Sequence, residues 1–161
     1  MGLNETEEGL AELIERGGIY RDIRGTNPRE VLFDFIGSLP LIPSVPVNKL
    51  FAAVQEREAL MSTGIGHGIA LPHPRNPLIT SKSEQFVALA FLDAPVDWNS
   101  LDGEWVDTLF LIVSVSAREH LQTLSKINFF CREENFYRLL HERAGQEDLL
   151  RFIRETEKTW R

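Results

Sequence analysis

The chain has 161 residues, 43% of them hydrophobic, which is enough for one buried core and too little for two comfortable domains. Its 24 acidic and 17 basic side chains leave a net charge of −7 with no Lys/Arg run, which argues against a nucleic-acid-binding face and favours a basic protein partner. The single cysteine, Cys131, excludes an internal disulfide, the acidic N-terminus lacks a signal-peptide pattern, and the apolar runs, Phe86 to Leu92 and Leu109 to Val113, fall far short of the ~20 residues that span a bilayer, so a cytoplasmic location without membrane insertion is expected.

Thr6 to Arg16 carries Leu10, Leu13 and Ile14 on one face and stops at Gly17 and Gly18, which predicts a short amphipathic helix with a glycine C-terminus. It is expected as an N-terminal extension, residues 1–18, added to a domain of residues 19–161. Ile19 to Ile23 is extended. Asn27 and Pro28 then read as an N-cap and a first helical position, starting a helix over Arg29 to Ser38 with Val31, Leu32, Phe35 and Ile36 turned to a core. The proline-rich stretch Leu39 to Pro46 breaks it as a loop, and Val47 to Leu60 resumes as a helix.

That helix runs into the segment from Arg57 to Arg75, REALMSTGIGHGIALPHPR. Gly64, Gly66 and Gly68 alternate with Ile65, His67 and Ile69, so the backbone can bend, approach an anion closely and still enter a strand edge at Ile69 to Leu71. The order G-x-G-x-G lacks both the later glycine of a dinucleotide fold and the Gly-Lys-Ser/Thr of a phosphate loop, which argues against nucleotide binding. Pro72 and Pro74 bracket His73 and hold it on a stiff, extended segment. An imidazole near neutral pH is a nucleophile, and Arg57 and Arg75 offer planar forks for phosphoryl oxygens. On spacing alone, a histidine between prolines is more often a turn residue.

Phe86 to Leu92 and Thr108 to Val115 are apolar, β-branched or aromatic runs that predict buried strands at the centre of a sheet. Between them Asp93, Asp97, Asp102, Glu104 and Asp107 are dispersed through a polar connection without a compact calcium-loop pattern, and no metal is assigned to them. Ala117 to Phe130 has helical spacing and sets His120 in a first turn, where backbone N–H groups favour anions. Glu134 to Arg143 and Gln146 to Glu157 are predicted as two further helices that cover the sheet. Cys131 reads as a core residue and His141, among charged neighbours, as solvent-facing.

Three blocks, REALMSTGIGHGIALPHPR, FLDAPVDWNSLDGEWVDTLFLIVSV and REHLQTLSKI, occur in an order and spacing that resembles the IIA component of the bacterial sugar phosphotransferase system, in its fructose/mannitol and nitrogen-regulatory class. The resemblance spans roughly Ile19 to Thr156 and implies a three-layer α/β fold, a mixed sheet flanked by helices on both faces. It implies that His73 accepts a phosphoryl group from a phosphohistidine carrier protein, that His120 supports it and that Arg57 lines the phosphoryl site, with no cofactor. The chain departs from the resembled pattern at His67, where asparagine is usual, and at Pro74 and Arg75 after the active histidine. Pro74 removes an N–H donor and Arg75 adds a charged one, so His67, Arg75, Gly66 and Gly68 are the further candidates for phosphate contact.

His67, His73 and His120 could in principle meet as a three-histidine zinc site, but Arg57 and Arg75 would repel a cation and attract a phosphate, so no metal is assigned. The resemblance leaves two roles: transport, in which phosphate passes to a sugar-specific cysteine domain, and regulation, in which phosphorylation alters contacts with other proteins. Regulation is expected because no transporter domain is fused to the chain. A binding module that is no longer phosphorylated is the remaining alternative, against which stands the retention of His73, His120 and Arg57 together.

Overall fold

Alternation along the buried stretches of two long strands divides the interior into two cores, one on each face of a sheet. The computed structural model describes residues 8–40 and 45–160. Its strands are β1 (Ile19–Ile23), β2 (Gly64–Gly66), β3 (Ile69–Ala70), β4 (Phe86–Val96) and β5 (Val106–Val113), in the spatial order β1-β4-β5-β3-β2. The sheet is mixed: β1 runs parallel to β4, β4 antiparallel to β5, β3 parallel to β5, and β2 antiparallel to β3.

Ala88, Ala90 and Leu92 of β4, with Leu109, Leu111 and Val113 of β5, face one core. That core is closed by Val31, Leu32, Phe35 and Ile36 of α2 (Pro28–Gly37) and by Leu50 and Val54 of α3 (Val47–Leu60). The residues between, Val87, Leu89, Phe91, Phe110 and Ile112, face the other. There they meet α1 (Leu10–Gly17), α4 (Ala117–Arg132), α5 (Glu134–His141) and α6 (Gln146–Lys158). A strand reverses its side chains at every residue, so a sheet buried on both faces must be apolar along its whole length, and β5 is buried at every residue but Asp107. The three-layer α/β arrangement with a mixed sheet follows from this.

Local signals place several elements where the sequence predicts them. Asn27 accepts the Glu30 N–H at 2.9 Å and caps α2, with Pro28 in its first turn. Ser116 does the same for α4 by accepting the Glu119 N–H. The strand bounds differ: β4 continues past Leu92 to Val96, through the exposed Asp93, Ala94 and Pro95, and β5 starts two residues earlier than Thr108 and stops at Val113. A bulge between Phe91 and Val96 lets the pairing resume beyond a stretch that lacks a strand's alternation. The start of the first predicted helix at Thr6, and much of the proline-rich loop, lie outside the described residues.

The helix expected as an extension is packed into the fold. Leu10, Leu13 and Ile14 belong to the second core, and Gly17 lies so close to β4 that a Cβ there would stand 2.2 Å from the Val87 carbonyl oxygen. Gly9 supplies no side-chain cap, and α1 is capped instead from the far end of the chain. The buried Glu157 of α6 accepts the Leu10 N–H at 2.9 Å through Oε2 and the Ala11 N–H at 3.3 Å through Oε1. Glu157→Ala should therefore strand two buried donors and cost about 1–3 kcal/mol in denaturant unfolding, with Glu157→Gln, which keeps one acceptor, losing less.

Candidate functional site

The parallel pairing of β3 with β5 decides where the chemistry sits. Two parallel neighbours end on the same side, so the chain leaving β3 at Leu71 to Arg75 runs beside the chain leaving β5 at Ser114 to His120. The Ile112 N–H donates to the Pro72 carbonyl at 3.0 Å and carries the pairing to the residue before His73. The His73 and His120 rings meet there, centroids 4.3 Å apart and tilted by 43°. The carboxyl ends of strands in open α/β sheets are the usual place for ligands.

The third component comes from α3. Its last turn carries Arg57, which lines a cleft of about 200 Å³ together with His73, His120, Ser114, Pro74 and Arg75. Arg57 Nη1 donates to the Met61 carbonyl at 2.6 Å, which fixes one end of the guanidinium and leaves its other N–H donors for a ligand. Glu58, one residue on, accepts from Thr63 through both its backbone N–H, at 2.7 Å, and its hydroxyl, at 2.6 Å. This acidic neighbour is thus tied to the approach to β2.

His73 Nδ1 lies 2.9 Å from the Leu71 carbonyl oxygen. A carbonyl only accepts, so Nδ1 carries the proton and the neutral ring presents its lone pair at Nε2. Burial lowers the His73 pKa, aided by the charge of Arg57 and opposed by the Leu71 carbonyl and Glu58. Burial, then the charges of His73 and Arg57, lowers His120 from the ordinary 6.5 to about 4. Both rings are neutral at neutral pH. The result is an uncharged nucleophile beside a guanidinium, an arrangement that tolerates an arriving anion and penalises a second cation.

Of the residues expected at the site, the cleft gathers His73, His120, Arg57 and Arg75 and leaves out His67, Gly66 and Gly68. Arg75 is exposed and pairs with Glu56 at 2.8 Å, while its N–H donates to the Ala53 carbonyl at 3.3 Å. The three others form the β2–β3 turn. His67 is in the left-handed region at φ 57°, with Gly66 at 93° and Gly68 at 80° on either side. The His67 N–H donates to Asp102 Oδ2 at 2.9 Å, and its exposed ring stands edge-on to Tyr137 at 6.1 Å. The three-histidine zinc cluster does not form. His141 is exposed as expected and stacks on Tyr137, and burial pushes the Cys131 thiol up to about 12, which leaves it an unreactive thiol.

Three contributors escaped the sequence reading. The Leu71 carbonyl that sets the tautomer is backbone and leaves no trace in residue type. Glu58 stands in the quoted motif, but nothing in its residue type marks its tie to Thr63. Ser116 could have been found, because Ser116 and Glu119 have the S-x-x-E spacing of a helix start.

The sequence matches the family described as "Phosphoenolpyruvate-dependent sugar phosphotransferase system, EIIA 2" over residues 12–156. The nitrogen regulatory protein of Pseudomonas aeruginosa is 40% identical over 121 residues, 73% of this chain and 77% of that protein. A mannitol-specific phosphotransferase enzyme IIA component of Staphylococcus aureus is 27% identical over 141 residues, 86% of this chain and 93% of that protein. The crystal structure of nitrogen regulatory protein IIA-Ntr from Neisseria meningitidis shares the fold, with a TM-score of 0.76 at 24% identity over 89% of this chain and 97% of that one. The match over residues 12–156, on a mixed sheet that carries two facing histidines beside an arginine, means that the chain belongs to the EIIA 2 family of the phosphoenolpyruvate-dependent sugar phosphotransferase system.

Proposed function

We propose that His73 Nε2 takes a phosphoryl group from the phosphohistidine of a small carrier protein, and that the phosphorylated chain acts as a nitrogen-regulatory signalling protein. The observation that carries the chemistry is the Leu71 carbonyl on His73 Nδ1, which commits the lone pair to Nε2 in a cleft shared with His120 and Arg57. The Nε2 lone pair forms the new N–P bond while the carrier's N–P bond breaks and its electron pair returns to the carrier's imidazole. The His73 ring gains positive charge in that step, and the Leu71 carbonyl at 2.9 Å stabilises it. Arg57 meets the spread charge of the phosphoryl oxygens, and His120, neutral beforehand, can take up a proton once a dianion lies beside it.

A protein donor suits the surroundings. Leu60 and Met61 at the end of α3 and Leu121 after His120 are 60%, 70% and 64% exposed, so apolar surface for a docking protein adjoins both sides of the machinery. The regulatory assignment rests on the 40% identity to a nitrogen regulatory protein, against 27% for the mannitol component.

Incubation with phosphoenolpyruvate, the first enzyme of the system and its histidine carrier should add one acid-labile phosphoryl group by intact mass, and His73→Ala should abolish it. Failure of the wild type to gain mass with several carriers would make a phosphate-independent binding module the better reading. Transfer onward to a cysteine domain in a mixed incubation would move the assignment to transport. Arg57→Ala should slow single-turnover transfer by about 10²-fold, the usual cost of one oxyanion donor, and Arg57→Lys should restore only part, because the charge returns without the fork.

The depressed pKa of His120 gives a second test. Its folded value of about 4 lies below the ordinary 6.5, so between those values the unfolded chain binds a proton that the folded ring refuses. Stability from this residue is complete above 6.5 and is lost as pH falls through that window. His120→Gln should flatten that part of the stability-versus-pH curve. Phosphorylation of His73 should raise the His120 midpoint, followed by imidazole NMR shifts, and an unchanged midpoint would remove His120 from contact with the phosphoryl group.

A further inference from the structure

His67, which the phosphotransfer chemistry leaves unused, belongs to a cluster of its own. Among the described residues the one group of three ligand-type side chains within mutual reach is His67, Asp102 and Glu104, an imidazole nitrogen and two carboxylate oxygens all within 4.8 Å of one another. We propose that these three residues form a surface site for a divalent transition metal of the zinc class, separate from the phosphoryl cleft and independent of the function proposed for it.

The donor set selects the ion. An imidazole with two carboxylates matches the nitrogen and oxygen ligands of zinc, nickel or copper, whereas magnesium and calcium prefer oxygen alone. Two carboxylates also neutralise the charge of a dication. Ligand atoms around a tetrahedral zinc stand roughly 3.3–3.5 Å apart, as bonds of about 2.0–2.2 Å require. All three side chains are exposed, so the remaining closure needs only side-chain rotation.

The surrounding field points the same way. The Tyr137 hydroxyl donates to the His67 carbonyl at 3.3 Å, and the carboxylates of Asp102, Glu104 and Asp107 lie near it. Negative potential therefore converges on this end of the molecule, in contrast to the arginine-lined cleft. Asp102 accepts the His67 N–H through Oδ2 at 2.9 Å and the Glu104 N–H through Oδ1 at 3.0 Å, which holds the backbones of both other ligands beside it. Each of its oxygens keeps a second lone pair for a metal. A bound ion would staple the β2–β3 turn to the connection between β4 and β5.

Asparagine adopts the left-handed conformation readily, so His67→Asn should keep the turn at φ 57° while removing the imidazole. The experiment is a competition titration of ZnCl₂ against a chromophoric indicator, with untagged full-length protein stripped by chelator. Wild type should bind one zinc, and His67→Asn and Glu104→Gln should each weaken it by at least the ~10–100-fold that lesser perturbations of metal sites cost. Binding in His73→Ala should match wild type. Equal zinc affinity in wild type and His67→Asn would overturn the site, as would binding that disappears in His73→Ala, which would put the metal on the His73 and His120 pair instead. Cobalt absorption in wild type and both variants reads the same loss without reference to activity.

Discussion

Everything at the functional end depends on the two-residue pairing of β3 with β5. It is short, Ile69 with Thr108 and Ala70 with Leu109, yet it is parallel, and a parallel neighbour is what sends His73 and His120 out of the same edge of the sheet. Had β3 run antiparallel to β5, the same two residues would have emerged at opposite edges. A pairing of two residues is weak by itself. It is held by burial of Ile69 and Ala70 in the two separate cores, by the β2 strand on its other side, and by the Ile112 N–H bond to Pro72 beyond its end.

Burial then sets the electrostatics. Desolvation is the largest influence on both imidazoles and keeps them neutral, which preserves the nucleophile. Arg57 adds to the effect as the nearby positive charge, although the chain as a whole carries −7. The local sign opposes the global one because Arg57 lines the cleft directly, whereas Glu58 is hydrogen-bonded to Thr63 and only partly offsets it at His73, and Glu56 is paired with Arg75. A site that repels a proton and accepts an anion suits a phosphoramidate, which must form without being bound so tightly that it is never passed on.

What the residues disclosed and what they concealed divide by range. The start of α2 was readable because its cap, Asn27 with Glu30, lies within one turn, and the two-faced burial of β4 and β5 was readable because unbroken apolar runs leave a sheet no polar face. The end of β4 was not, because Asp93 to Pro95 resembles a turn until a bulge and a paired partner are known. The role of α1 was hidden for the same reason at greater distance: its cap is Glu157, nearly the whole chain away. At the site, His73, His120 and Arg57 came from motif resemblance and stand together. The glycine turn, the most visible part of the motif, instead packs against Asp102 and Asp107, because its positive φ angles curl it toward the connection between β4 and β5.

Pro74, which follows His73, has a physical reading if His73 accepts the phosphoryl group as proposed. Proline removes a donor that could have met a phosphate oxygen, and Arg75 does not simply replace it, since its guanidinium is exposed and paired with Glu56 and its N–H with Ala53. Under the proposed transfer, donors for the phosphoryl group would come chiefly from Arg57 and from the start of α4, where Ser116 caps the helix and His120 lines the cleft. In exchange, two prolines restrict the backbone on both sides of His73, so its orientation is settled before a donor protein arrives and little ordering entropy remains to be lost in the transfer. Under the proposed transfer, Pro74 offers no N–H to the phosphoryl group while the two prolines stiffen the nucleophile, a combination that favours passage of the phosphoryl group over its retention.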